Sequence, residues 1–167
     1  KYLIHALEID PKYPKAHFLL ARAYETFESH EEAKAHYGHA IESHPEFALA
    51  HFRLGVRLFE EGSATEAEEH LRQSISLESQ NSEAHYYLAM ILRTDDDPSL
   101  AKKHFFRALE INPEFALAYY ELAHHSEKNG DLNEAKIHFQ KATDIEQNFV
   151  EAYFHLARIS TNPSEYD

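Results

Sequence analysis

PEFALA stands at residues 45–50 and again at 113–118. The wider frames, AIESHPEFALAHFRLG (40–55) and ALEINPEFALAYYELA (108–123), extend the likeness in both directions. Six identical residues thus recur after 68 positions, and half that distance organises the rest of the chain. Displaced by 34 residues, Leu20, Leu54, Leu88, Leu122 and Leu156 fall in register, as do Ala16, Ala50, Ala84, Ala118 and Ala152. Ala33, Ala67, Ala101 and Ala135 form a third column. A fourth, again of small residues, is Ala21, Gly55, Ala89, Ala123 and Ala157. The true period is 34, and PEFALA opens the second and fourth units alike. A fixed period of this size marks a repeat architecture, in which one unit cannot bury its apolar face alone.

Each unit reads as two helices. With Pro14, Ala48, Ser82, Ala116 and Val150 as position 1, positions 4, 7, 8 and 11 are apolar or small. That is the i, i+3, i+4, i+7 stripe of one buried helix face. Positions 20, 24, 27 and 28 form a second stripe. Between the stripes lie turn words, ESHEE, EGSAT, DDDPS and KNGDLN. Asp97 before Pro98 reads as an N-cap followed by proline in the first turn. Pro45 and Pro113 mark where a helix must end before the next unit begins. Small residues at positions 8 and 20 let the paired helices approach toward the short end of the roughly 8–10 Å range. Such a pair keeps one face open for its neighbour, so the units stack into an all-α solenoid.

Composition agrees and excludes several functions. Four Gly and six Pro among 167 residues, with abundant Ala, Leu and Glu, favour helix over sheet. With 27% charged residues and no long apolar run, the sequence offers no membrane span. There is no Cys, which removes disulfides and thiolate metal sites. The net charge of −13 would repel nucleic acid, whose binding needs clustered Lys and Arg. KYLIHALEID at residues 1–10 is no signal peptide and lacks an initiating Met, so the chain reads as a piece of a longer protein. The compartment stays open, with the cytoplasm favoured.

The columns carry a family resemblance. Leu at position 7, Gly or Ala at 8, Tyr24 at 11, Ala at 20, an aromatic or Leu at 24, Ala at 27 and Pro at 32 resemble the tetratricopeptide repeat. The likeness covers a partial second helix (1–13), four full units (14–47, 48–81, 82–115 and 116–149) and the first helix of a further one (150–167). It implies a right-handed superhelical solenoid of antiparallel helix pairs. Departures are local. Position 4, usually a large aromatic in the family, is His17, His51 and His85 before it becomes Tyr119 and Tyr153. Position 32 is Ser79 and Gln147 in two units, and position 11 weakens to Ser126 and Ser160.

Signs of chemistry are few. His36, His70, His104 and His138 all occupy position 23. Zinc needs nitrogens at about 2.0–2.1 Å, while equivalent sites of stacked units lie about 8–10 Å apart, so this column cannot share one ion. His36 and His39 alone make a weak site, no HExxH occurs, and no metal or other cofactor is expected. Asp95-Asp96-Asp97 lacks the alternating oxygens, Gly and Glu of a calcium loop and reads as turn and cap. No nucleophile elbow or Gly-rich phosphate cradle is present. Catalysis within this chain is therefore not expected.

The resemblance implies a concave groove lined by the first helix of each unit, at positions 2, 5, 6, 9, 12 and 13. Position 5 is Phe18, Phe52, Tyr86, Tyr120 and Phe154, an aromatic column that either meets a ligand or packs against the neighbouring helix. Six basic residues (Lys15, Arg22, Arg53, Arg93, Lys128 and Arg158) balance six acidic ones (Glu25, Glu60, Glu83, Glu121, Glu127 and Glu151) on this face. The acidic excess then falls on the outer face and loops. Aromatic and Arg side chains dominate protein-interface hot spots. The expected function is a non-catalytic scaffold that takes a peptide or helix of a partner protein in its groove. The alternative is the recruiting arm of a larger enzyme. Two family specialisations are missing: the Lys and Asn of the chaperone-tail clamp, and the asparagine column of the O-GlcNAc transferase repeats. Leu3, Ala6 and Leu7 at one end and Ala152, Leu156 and Ala157 at the other face no covalent neighbour, so weak head-to-tail self-association is expected.

Overall fold

The computed structural model describes residues 1–93 and 98–161. They form ten α-helices with no strand among them: α1 (Tyr2–Ile9), α2 (Pro14–Thr26), α3 (His30–Ser43), α4 (Ala48–Glu60), α5 (Ala64–Leu77), α6 (Ser82–Leu92), α7 (Pro98–Ile111), α8 (Ala116–Lys128), α9 (Leu132–Ile145) and α10 (Val150–Thr161). The fold class is the all-α helix-pair array. Asp95–Asp97 and the SEYD tail lie outside the described residues, so the cap expected at Asp97 does too. The chain divides into two compact units, Lys1–Ile91 and Leu92–Asp167.

In the first unit α2 packs on α3 and α4 on α5. The second helix of each pair inserts a fully buried stripe: Ala33, Tyr37 and Ala40 on α3, then Ala67, Leu71 and Ser74 on α5. Burying side chains the size of Leu71 contributes about 1.5–3 kcal/mol each. The small column does what its sizes suggest. A methyl group at Gly55 would lie 2.9 Å from Leu71 Cγ and 3.2 Å from the Ala67 carbonyl oxygen, so α4 and α5 touch almost backbone to backbone there. In the second unit α8 pairs with α9, and α10 packs on α9. Their core joins Ala123, Ala135, Phe139, Ala142, Phe149, Ala152 and Ile159.

The turns inside the α2–α3, α4–α5 and α8–α9 pairs follow one recipe. Glu28, Gly62 and Gly130, one period or two apart, all have positive φ (56°, 85° and 80°). The amide of the following residue then bonds back to the carbonyl five residues earlier: Ser29 to Tyr24, Ser63 to Leu58 and Asp131 to Ser126, at 2.9–3.0 Å. This is the left-handed helix stop that glycine adopts without strain. Glu28 adopts it with a Cβ.

Position 11, where the sequence weakens, is repaired at Ser126. Its hydroxyl is buried and donates to Glu134 Oε2 at 2.7 Å, and Lys102 Nζ bonds both Glu134 oxygens at 3.3 Å. These contacts hold the Glu134 carboxyl below its ordinary range, Ser126 foremost.

Candidate functional site

In the first unit, the first helices α2, α4 and α6 carry positions 5, 6 and 9 of the inner face. The aromatic column behaves as core here. Phe18, Phe52 and Tyr86 are only 6%, 2% and 8% exposed. Phe18 meets Tyr37 at 5.6 Å and Phe47 at 5.1 Å between ring centroids. Phe52 stands 6.4 Å from Tyr87, and Tyr86 is edge-on to Tyr87 at 5.4 Å. Of the two readings left open, packing is the one these three buried rings follow. Little of each ring is left exposed to a ligand. Arg22 is exposed, and Arg53 is half-buried with its guanidinium 5.5 Å over the Phe52 ring. Arg53 Nε is buried without a hydrogen-bond partner. Neither arginine makes an ion pair among the described residues, whereas Arg57 pairs with Glu60 at 2.9 Å.

Behind this face lies a feature that the column reading missed. His17 Nε2 contacts the Pro11 carbonyl oxygen at 3.0 Å, and a carbonyl can only accept, so Nε2 carries the proton. His17 Nδ1 is then an acceptor and takes the proton of His36 Nδ1 at 2.9 Å. One period later His51 repeats both contacts, with Pro45 O at 3.1 Å and His70 Nδ1 at 3.0 Å. His85 Nε2 reaches Ser79 O at 3.3 Å. Positions 4 and 23, separate columns in the sequence, are partners across the α2–α3 and α4–α5 pairs. Burial holds His36, His51 and His70 below the ordinary imidazole value, and the partner imidazole adds to this for His36 and His70.

The second unit arranges the same positions differently. Tyr120 is half-buried against Phe149 (4.7 Å) and Phe139 (5.6 Å), while Phe154 is 63% exposed. Both arginines are paired: Arg93 reaches Glu121 at 3.3 Å, and Arg158 reaches Glu127 at 2.6 Å. Glu121 and Glu127 are themselves buried. Burial pushes the Glu121 carboxyl above its ordinary range, with Arg93 opposing.

The tetratricopeptide repeat profile matches residues 18–82 and again 116–149. The chain belongs to the tetratricopeptide repeat family. Solved structures of the same architecture include pilF of Pseudomonas aeruginosa, at TM-score 0.85 and 23% identity over 96% of this chain and 75% of that one. YrrB, described as a tetratricopeptide protein with an unusual peptide-binding site, aligns at TM-score 0.81 and 20% identity over 98% and 84%. MamA aligns at 0.78 and 21% over 89% and 87%. At these identities the likeness is one of fold. No curated protein sequence matches the chain. Family and fold support a protein–protein interaction scaffold. Among the described residues no helix is long and apolar enough to cross a membrane.

Proposed function

We propose that this tetratricopeptide array is a non-catalytic scaffold that binds an acidic segment of a partner protein at the inner-face positions of the first helices in its first unit. The observation that carries the reading is the pair Arg22 and Arg53. They stand on successive first helices, at inner-face positions, without a carboxylate partner among the described residues. A guanidinium offers a planar fork of donors that suits a carboxylate. Arg53, laid over Phe52, has its stem held by packing, which lowers the ordering cost of binding. In this reading Phe18, Phe52 and Tyr86 hold the helices that present the arginines. Arg93, Arg158, Tyr120 and Phe154 are the candidate ligand contacts of the second unit. Tyr120 and Phe154 are the rings there with surface left to offer.

A library of acidic peptides and its Asn/Gln-substituted counterpart, titrated against the labelled chain, tests this. Binding should select acidic members, weaken with salt, and vanish in the Arg22→Glu/Arg53→Glu variant with its melting curve intact. Equal binding of the neutral counterparts would sink the reading.

A further inference from the structure

A second cluster lies on the inner face of the second unit, assembled from two helices. His124 and Glu127 are one turn apart on α8, and His155 stands on α10. His155 Nδ1 is 3.1 Å from Glu127 Oε2, and His124 Nδ1 is 3.7 Å from the same oxygen. One ligand atom from each of the three residues falls within a span of 4.8 Å. Around a tetrahedral ion with bonds of about 2.0–2.1 Å, neighbouring ligand atoms are separated by roughly 3.3 Å. The three side chains already bracket that spacing.

Their orientation is held by packing. The His155 ring stacks on Phe139 at 4.9 Å and 15°, and His124 stands edge-on to Tyr120 at 4.7 Å and 87°. The two imidazoles are 4.3 Å apart, nearly perpendicular, so their nitrogens converge without their faces stacking. Glu127 is buried.

We propose that His124, Glu127 and His155 form a binding site for a divalent transition ion of the zinc class, and that Arg158 competes with the ion for it. Two imidazole nitrogens and one carboxylate oxygen suit zinc or cobalt. Calcium and magnesium require mainly oxygen ligands and are disfavoured. Three protein ligands leave a fourth position to water. Arg158 Nη2 now lies 2.6 Å from Glu127 Oε1 and 3.1 Å from His155 Nδ1, supplying the positive charge that the buried carboxylate needs. Its side chain is 39% exposed, so it can turn out to solvent and leave both ligand atoms to an ion. Burial, then the neighbouring His155, hold His124 below the ordinary imidazole value, with Arg93 and Arg158 acting in the same direction and Glu127 against it.

Titration of the full chain with Co²⁺, read by visible d–d absorption and followed by displacement with Zn²⁺, tests the site. One saturable equivalent is expected. His124→Gln and Glu127→Gln should each weaken it at least tenfold, and Arg158→Gln should strengthen it severalfold because the competing cation is gone. Far-ultraviolet circular dichroism checks that each variant folds. His124 is half-exposed, so its variant decides the matter if Glu127→Gln does not fold. No saturable binding, or an equivalent that survives His124→Gln unchanged, would overturn the proposal, since the latter would place the ion on other histidines.

Discussion

The same repeat positions carry opposite solutions in the two units. In Lys1–Ile91 the buried polar groups between paired helices are imidazoles that hydrogen-bond one another, while the inner-face arginines are left without carboxylates. In Leu92–Asp167 the inner-face arginines are tied to buried carboxylates, and the His138 imidazole at position 23 turns Nε2 to Glu134, 3.8 Å away, instead of to a second imidazole. There Tyr119 replaces the histidine of position 4, its ring 6.0 Å from His138, and His138 Nδ1 is buried without a hydrogen bond. One fold position can thus be served by a hydrogen-bonded pair or by ring packing, but each choice changes what its partner needs. The position-5 rings diverge in parallel: Phe52 is core and Phe154 is surface.

That last contrast gives the largest expected effect. Phe52→Ala should cost about 3–5 kcal/mol in urea unfolding, the usual loss for a buried Phe with its cavity. Phe154→Ala should stay within about 0.5 kcal/mol, as an exposed substitution. Equal losses would break the comparison.

The histidine contrast predicts a smaller asymmetry. His70→Phe leaves the Nδ1 acceptor of His51 buried and unpaired, which costs roughly 1–3 kcal/mol. His138→Phe removes an Nδ1 that has no hydrogen bond and an Nε2 that keeps only a 3.8 Å contact to Glu134, so the melting midpoint should fall less than for His70→Phe. A third comparison lies in the turns: Glu28→Gly should gain about 1 kcal/mol by relieving a left-handed Cβ, as Gly62 and Gly130 already do. A fall in the midpoint would mean that the Glu28 side chain contributes more than its backbone strain costs.

The pH response is the smallest effect per residue. The folded values of His36, His51 and His70 lie below the unfolded value, so the unfolded chain binds more protons on acidification. Their stabilisation is present above pH ~6.5 and is lost as pH falls through the folded values. Facing charges matter: His39 works with burial at His36, while Glu66 and Glu69 oppose it at His70. In the second unit Glu121 has the opposite sign, since its raised value means that the folded state gains protons first. Urea midpoints at pH 7.5 and 5.5 should differ more for wild type than for a His51→Phe/His70→Phe variant. Identical shifts would remove the pairs as the cause.

How much of this the sequence carried follows from what a period encodes. The 34-residue register places every helix face, so the small column at Gly55 and Ala123 and the buried stripe at Tyr37 and Phe139 were legible. A column is a list of equivalent places, however, and says nothing of which columns meet. Position 23 alone shows four histidines too far apart to share an ion, whereas each in the first unit cooperates with position 4. Position 5 lies at the rim of its stripe, where one neighbouring helix decides between core and groove. The cluster of His124, Glu127 and His155 draws on positions 9, 12 and 6 of two successive repeats, which no single column contains. The signal that could have found it is an i, i+3 His–Glu pair followed one unit later by an inner-face His.

The contact from each position-4 imidazole to the loop before its helix has a consequence for how such sequences can drift. His17, His51 and His85 grip the carbonyl oxygens of Pro11, Pro45 and Ser79, six residues upstream. A carbonyl belongs to the main chain, so the ring reads the path of the loop and is indifferent to the letter written there. The proline of position 32 can therefore decay to serine at residue 79 while the join between successive repeats keeps its anchor. What must be inherited together is the histidine and the spacing of six, and a lineage that loses the ring at position 4 forfeits that freedom one residue at a time.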